Sequence, residues 1–167
     1  EQSEALGLIR THELIEARKL DGAEQYFSRA IDFGFSKTHE ETFRHWPEYL
    51  LTYDAVWVMR KFRPDVVICR FPPNTMAGHG QHAASAIIAA KAFKVTGDKM
   101  QYTEQLKYFP SWQPKRLLLN TYKFGDRNTT AEDQFKLGVG QYLPGVGEGC
   151  GELAGRSRSI HKSQGAG

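Results

Sequence analysis

The chain has 167 residues, a length that fits one domain and can bury a core without disulfide or metal staples. Its 40% hydrophobic and 25% charged content are the proportions of an ordinary soluble protein, and a net charge of +3 spread over scattered Lys and Arg gives no nucleic-acid-directed surface. No apolar run reaches the roughly 20 residues of a membrane span, and two cysteines, Cys69 and Cys150, are too few for a disulfide framework.

Glu1-Gln2-Ser3-Glu4 carries neither an initiator Met nor a signal peptide, and Gln164-Gly165-Ala166-Gly167 ends without a natural close, so the sequence reads as a piece of a longer protein. Leu6, Ile9, Leu14 and Ala17, with Arg and Glu between them, predict an amphipathic helix over Glu4–Lys19, stopped by Asp21-Gly22. Tyr26 to Ile31 is aromatic and β-branched enough for a short strand. Phe33-Gly34-Phe35-Ser36 reads as a loop whose aromatics flank a pocket. Thr38 with Glu41 is a capping box that starts a helix, interrupted or restarted at Pro47 and reaching Phe62, with Trp46, Tyr49, Tyr53 and Trp57 as its core face.

The clearest strand lies within Pro64 to Arg70. Continuous rather than alternating apolarity in Asp65-Val66-Val67-Ile68-Cys69 predicts burial on both faces, as in a parallel sheet, with Cys69 a buried small hydrophobe. A stiff loop, Phe71 to Met76, leads to Ala77-Gly78-His79-Gly80-Gln81-His82-Ala83-Ala84-Ser85, which opens a helix running to Lys94. Thr96-Gly97-Asp98 breaks that helix, Tyr102 to Lys107 forms a short one, and Lys115 to Lys123 reads as another buried strand. Beyond Gly125 glycines punctuate a loop-rich region, and a final helix covers Glu152 to Lys162. Gly145-Val146-Gly147-Glu148-Gly149 follows no strand and lacks the spacing of a dinucleotide fingerprint. The alternation of strands and helices predicts an α/β fold with a parallel sheet and right-handed crossovers.

His79 and His82 stand where a strand hands over to a helix, at i and i+3 on a first turn, so both imidazoles can face one side. Imidazole is a common metal ligand and a proton carrier near neutral pH, which makes a hydrolytic metal site one reading. The other is that His79 is a polar loop residue and His82 a helix-start residue bonded to backbone.

Three stretches, in order, resemble the LmbE-like/PIG-L family of zinc-dependent N-deacetylases. Gly7-Leu8-Ile9-Arg10-Thr11-His12-Glu13-Leu14 is similar to the family's Arg-x-x-Glu helix. Pro64 to Ser85 is similar to its second histidine motif, and Ser159-Ile160-His161-Lys162-Ser163-Gln164 to its late histidine-and-glutamine segment. The region from Trp112 through Thr130 looks like a subgroup built into larger, exported proteins. The resemblance implies a Rossmann-like three-layer parallel sheet, incomplete at the N-terminus, across a single partial domain over 1–167. It implies zinc as cofactor, His82 as a metal ligand and His79 as the catalytic donor to the developing oxyanion or leaving amine. Arg10 and His161 would contact substrate. The family's His-Pro-Asp-Asp motif is absent, and Gln81 replaces an Asp between the histidines; Gln can hydrogen-bond an imidazole but cannot hold its charged form as Asp would. The expected function is that of part of a deacetylase acting on an N-acetylated amino-sugar conjugate, with no nucleic-acid partner and no membrane span. A homo-oligomer through an exposed sheet edge is expected as well. The alternative is a non-catalytic α/β module that binds carbohydrate or protein.

Overall fold

The computed structural model describes residues 3–165. Glu1, Gln2, Ala166 and Gly167, on which the reading of a cut chain partly rests, lie outside the described residues. In chain order the elements are α1 (Ser3–Asp21), α2 (His39–His45), α3 (Glu48–Phe62), β1 (Val66–Cys69), α4 (Gly80–Val95), β2 (Arg116–Leu119), β3 (Lys123–Phe124), β4 (Arg127–Asn128), β5 (Tyr142–Leu143), β6 (Glu148–Gly149) and α5 (Cys150–Ser159). Short 3-10 helices sit at Thr75–Ala77, Thr103–Lys107 and Lys162–Gln164. The protein is thus a mixed helix–strand chain, with β1 and β2 in a two-stranded parallel sheet and two small antiparallel pairs. No helix among the described residues is long and apolar enough to cross a membrane. The chain divides into two compact units, Glu1–Phe27 with Gln134–Gly167, and Ser28–Asp133.

In the first unit α1 packs on α5. Gly22, at φ 72°, ends α1 and returns its N–H to the Arg18 carbonyl at 2.8 Å, a left-handed stop that Asp21-Gly22 encodes. The Ser157 hydroxyl on α5 donates to Asp21 Oδ2 at 2.8 Å. The Arg18 guanidinium, reinforced by that hydroxyl, holds the Asp21 carboxyl well below the usual carboxylate range. Asp21 is therefore a charged pin between the two helices. The expected final helix begins earlier and ends earlier than its composition suggests, because Glu152 accepts the Gly149 N–H at 2.8 Å and so caps the turn from N3.

In the second unit α2 and α3 both pack on α4, whose small side chains (Ala83, Ala84, Ala86 and Ala92 are buried) let neighbouring helices approach closely. Thr38 caps α2 by accepting the Glu41 N–H at 3.3 Å, and Pro47 separates α2 from α3 and occupies the N-cap of the latter. The core centres on Val56, Met59 and Ala92, with Ala55, Val67, Val95 and Tyr102 packed around it. The aromatics expected as the core face of α3 flank this centre instead. Tyr49 is exposed, while Trp46, Tyr53 and Trp57 are half-buried and make ring contacts, Trp57 meeting Phe109 edge-on at 5.0 Å.

One side chain organises the segment after α4. Arg60 is fully buried, and its five N–H groups reach five acceptors: Nε to the Thr96 carbonyl (3.1 Å), Nη1 to the Tyr102 carbonyl (3.0 Å) and Gln105 Oε1 (3.3 Å), Nη2 to the carbonyls of Asp98 (3.0 Å) and Gln101 (2.9 Å). Gln105, also buried, returns its amide to the Tyr53 carbonyl at 2.9 Å. This cage fixes Tyr102 at φ 49° and ψ 51°, a left-handed backbone that costs an aromatic residue about 1–3 kcal/mol unless its surroundings impose it.

Three expectations need correction. Tyr26 to Ile31 forms no strand, because its backbone groups bind side chains rather than a ladder: the Arg29 N–H goes to Asp54 at 3.0 Å, and the Ile31 carbonyl accepts the Trp46 indole N–H at 2.9 Å. The β1 strand is not buried on both faces. Val66 and Ile68 are exposed and alternate with half-buried Val67 and Cys69, since α4 covers one face and no described element covers the other. Burial still pushes the Cys69 thiol up. The β2 strand is shorter than Lys115–Lys123 and, apart from half-buried Leu117, exposed, for the same reason.

Candidate active site

The β1 strand runs parallel to β2 in the register Val67↔Leu117 and Ile68↔Leu118, and the chain leaves its carboxyl end at Arg70-Phe71. Asn74 then caps a single turn by accepting the Met76 N–H at 3.0 Å, and Gly78 at φ 77° reverses the chain in a conformation that strains any side chain. His79 follows in extended backbone (φ −151°, ψ 138°) as the N-cap of α4. It takes the capping role usually played by Ser, Thr, Asp or Asn, since its Nδ1 accepts the Gln81 N–H at 3.2 Å. Gly80 donates its N–H to the Ser36 carbonyl at 2.9 Å. A Cβ at Gly80 would fall 2.5 Å from the Ser36 hydroxyl and closer still to the Thr38 carbonyl oxygen, so glycine is required for this approach.

His82 lies one turn on, its ring stacked on Phe71 with centroids 3.8 Å apart and planes 1° from parallel. Its Nδ1 sits 3.3 Å from the Ala77 carbonyl oxygen. A carbonyl oxygen only accepts, so this contact places the neutral ring's proton on Nδ1 and leaves a lone pair on Nε2. His79 is the opposite case. Its Nδ1 accepts, so the proton is on Nε2. The two rings, 5.2 Å apart between centroids, therefore present one donor and one acceptor. Both line a cavity of about 380 Å³ with Phe71, Tyr122, Arg70 and Lys123. The Arg70 guanidinium stands over the Phe71 and Tyr122 rings, at 5.2 and 5.5 Å, and the Tyr122 hydroxyl donates to the Met76 carbonyl at 3.0 Å. Phe35 meets the His79 ring edge-on at 4.8 Å, whereas Phe33 stacks on His45. Gln81 does not bond an imidazole through its side chain; its amide donates to the Gly34 carbonyl at 2.8 Å and ties the site to that loop.

Arg10 and His161 belong to the other unit. Arg10 is exposed on α1. Glu13, its i+3 neighbour, accepts from the Ser163 N–H at 2.6 Å and the Ser163 hydroxyl at 2.7 Å, and these bonds hold the Glu13 carboxyl below its ordinary range. His161 lines a cavity of about 470 Å³ with Arg18, Asp21, Cys150 and Ser157, and its Nδ1 is buried without a partner. Glu13 and Ser163 lie in two of the stretches that carry the resemblance, but nothing in the sequence pairs them across 150 positions.

Zinc tests the site further. An imidazole whose Nδ1–H is held by a backbone carbonyl, as in His82, is the usual form of a histidine ligand. Catalytic zinc needs three protein ligands, and His79 in its assigned tautomer offers a proton rather than a lone pair. Among the described residues no group of three His, Cys, Asp or Glu side chains could hold a metal ion. The described residues thus supply one suitable ligand and do not by themselves fit the metal. No protein-family model, curated protein or solved structure matches the chain.

Proposed function

We propose that the chain carries one side of the active site of a zinc-dependent deacetylase acting on an N-acetylated amino-sugar conjugate, in a Rossmann-like three-layer sheet to which β1 and β2 belong. The observation that supports this most is the pair of imidazoles, one with Nδ1 facing a backbone N–H and the other with Nδ1 facing a backbone carbonyl, lining one cavity beyond the carboxyl end of a parallel strand. Amide hydrolysis needs a donor at the carbonyl oxygen or departing amine, and the His79 Nε2–H is that donor. The His82 Nε2 lone pair is the acceptor, and the remaining ligands of a metal would come from outside the described residues. Tyr122 and the edge of Phe71 supply apolar lining for a sugar ring. The substrate-binding roles of Arg10 and His161 rest on the family resemblance alone.

The chain extended at its N-terminus by a segment carrying His-Pro-Asp-Asp is expected to release acetate from an N-acetylglucosamine conjugate only with zinc present. His79→Ala should lower kcat/KM roughly 10²–10⁴-fold, and His82→Ala should lose zinc on dialysis. An extended chain that holds zinc through His82 yet releases no acetate would sink this reading. The second reading, a carbohydrate-binding module, draws on the Arg70–Phe71–Tyr122 stack; it requires the conjugate to bind without acetate release.

A second copy of the chain is the partner proposed for the sheet. Ile68 is 62% exposed beside Leu118, and β1 and β2 each have one edge without a strand neighbour among the described residues. Light scattering should show a mass above that of a single chain, rising with concentration, and Ile68→Lys should return the monomer. A wild-type chain that stays monomeric would remove this partner.

A further inference from the structure

A second cavity in the Ser28–Asp133 unit shares no lining residue with the histidine site. It measures about 350 Å³, within the range of small-ligand sites, and lies between the first turn of α3 and the last turns of α4. Its aromatic wall is Tyr49 and Tyr102, with ring centroids 5.3 Å apart and planes 44° from parallel. Tyr49 is 65% exposed, so its face is open to a ligand rather than spent on the core. Tyr102 is held there by force of backbone: the buried Arg60 guanidinium takes the carbonyls of Gln101 and Tyr102 and fixes the residue at φ 49°. Left-handed backbone at a bulky residue is concentrated at ligand clamps, where the strain serves aim.

The charges around these rings are unequal. Glu48 and Lys91 pair with each other. Lys94, one turn further along α4, lines the same cavity and has no acidic partner among the described residues. The cavity therefore presents the exposed Tyr49 ring backed by the half-buried Tyr102 ring, a neutralised ion pair able to accept and donate hydrogen bonds, and one ammonium without an acidic partner among the described residues.

We propose that this cavity is a saccharide subsite for a pyranose ring carrying an anionic group. The apolar C–H face of the ring packs on the electron-rich face of Tyr49, with Tyr102 as the wall behind it. Ring hydroxyls bond the Glu48–Lys91 pair, and the anion meets Lys94. Nothing in this inference depends on the deacetylase reading, since the two cavities have different residues.

The test is titration of the full chain with hexagalacturonate and, in parallel, with cellohexaose, at low salt so that the exposed Lys94 is not screened. Hexagalacturonate should bind at least about tenfold tighter than the neutral glucan. Tyr49→Ala should weaken both by about tenfold or more without changing the unfolding midpoint, because Tyr49 is exposed. Lys94→Gln should erase the preference for the charged saccharide and keep the residual binding of the neutral one. Failure of both saccharides to bind, or binding that survives Tyr49→Ala and Lys94→Gln alike, would overturn the proposal.

Discussion

Replacing Arg60 by alanine is expected to lower the stability of the Ser28–Asp133 unit by on the order of 4 kcal/mol. The side chain is fully buried and satisfies five acceptors, four of them backbone carbonyls of the segment between Thr96 and Tyr102. Truncation leaves the buried Thr96 carbonyl and Gln105 Oε1 without this donor, while the Tyr102 and Asp98 carbonyls keep the N–H groups of Gln105 and Gln101. Each unsatisfied buried group costs about 1–3 kcal/mol, and water entering the space offsets part of the sum. Desolvation pulls the other way: burial pushes the guanidinium pKa down, with Glu104 and Asp98 only partly opposing it, so the native state already bears the cost of a buried cation. That cost is why a fully satisfied cage matters, and why Arg60→Lys should fail as well. An ammonium has three donors for five acceptors and no planar fork. Trp46, Trp57 and Trp112, the chain's only tryptophans, all lie in this unit. Urea unfolding followed by tryptophan emission therefore reads this unit alone. A loss under about 1 kcal/mol in Arg60→Ala would mean that the segment is held by other contacts. In the same variant Tyr102, no longer clamped, should leave its left-handed backbone, and the cavity it shares with Tyr49 should lose its wall.

What the sequence makes legible, and what it hides, divides along the range of the forces involved. Local signals carry through. Asp21-Gly22 stops α1, Thr38 caps α2, Pro47 separates α2 from α3, and the apolar run at Asp65–Cys69 yields β1. Each of these is decided within a few residues by dihedral preference or a capping hydrogen bond. The placement of His79 and His82 at a strand-to-helix turn is legible for the same reason. Non-local effects are not. Tyr26 to Ile31 has strand composition, yet Asp54 and Trp46, both distant in sequence, take its backbone groups. Apolar continuity in β1 reports a strand suited to burial, but burial itself depends on what covers each face, and here the α3–α4 core takes Val67 while Val66 and Ile68 stay exposed. Arg60 sits in the sequence as an ordinary last-turn cation of α3, and nothing local marks it as the centre of a cage 36 to 45 residues away. The opposite tautomers of the two histidines come from a backbone N–H and a backbone carbonyl that only the folded turn brings to them.

Gly80→Ala is the second large effect, and it joins stability to the site. Helix propensity alone favours alanine over glycine by up to about 1 kcal/mol. Against that stands a Cβ at 2.5 Å from the Ser36 hydroxyl and nearer to the Thr38 carbonyl oxygen. Ser36 and Thr42 are both buried and bonded to each other through their hydroxyls at 2.8 Å, and the Thr38 carbonyl is part of the α2 cap turn, so neither neighbour has room to move. Overpacking of this kind costs about 3 kcal/mol. The clash wins, and a net loss of about 2 kcal/mol is expected in urea unfolding. The relief available to the chain is to lift the first turn of α4 away from α2, which breaks the Gly80 N–H bond to the Ser36 carbonyl and re-aims His79 and His82. Nitrogen-15 spectra of the imidazoles should then show that His79 has lost its fixed tautomer, since the Gln81 N–H no longer reaches Nδ1. Gly97, whose Cβ would approach the flexible end of Gln113 at 2.6 Å, provides the contrast. There the amide must leave the Phe93 and Pro114 carbonyls and the Gln113 Cβ, 3.0 Å away, must give slightly, but none of these groups touches the first turn of α4, and Gly97→Ala should leave both imidazole spectra as they are. An unchanged His79 tautomer in Gly80→Ala, with stability within about 0.5 kcal/mol of wild type, would mean that the α2–α4 approach does not set the geometry of the site.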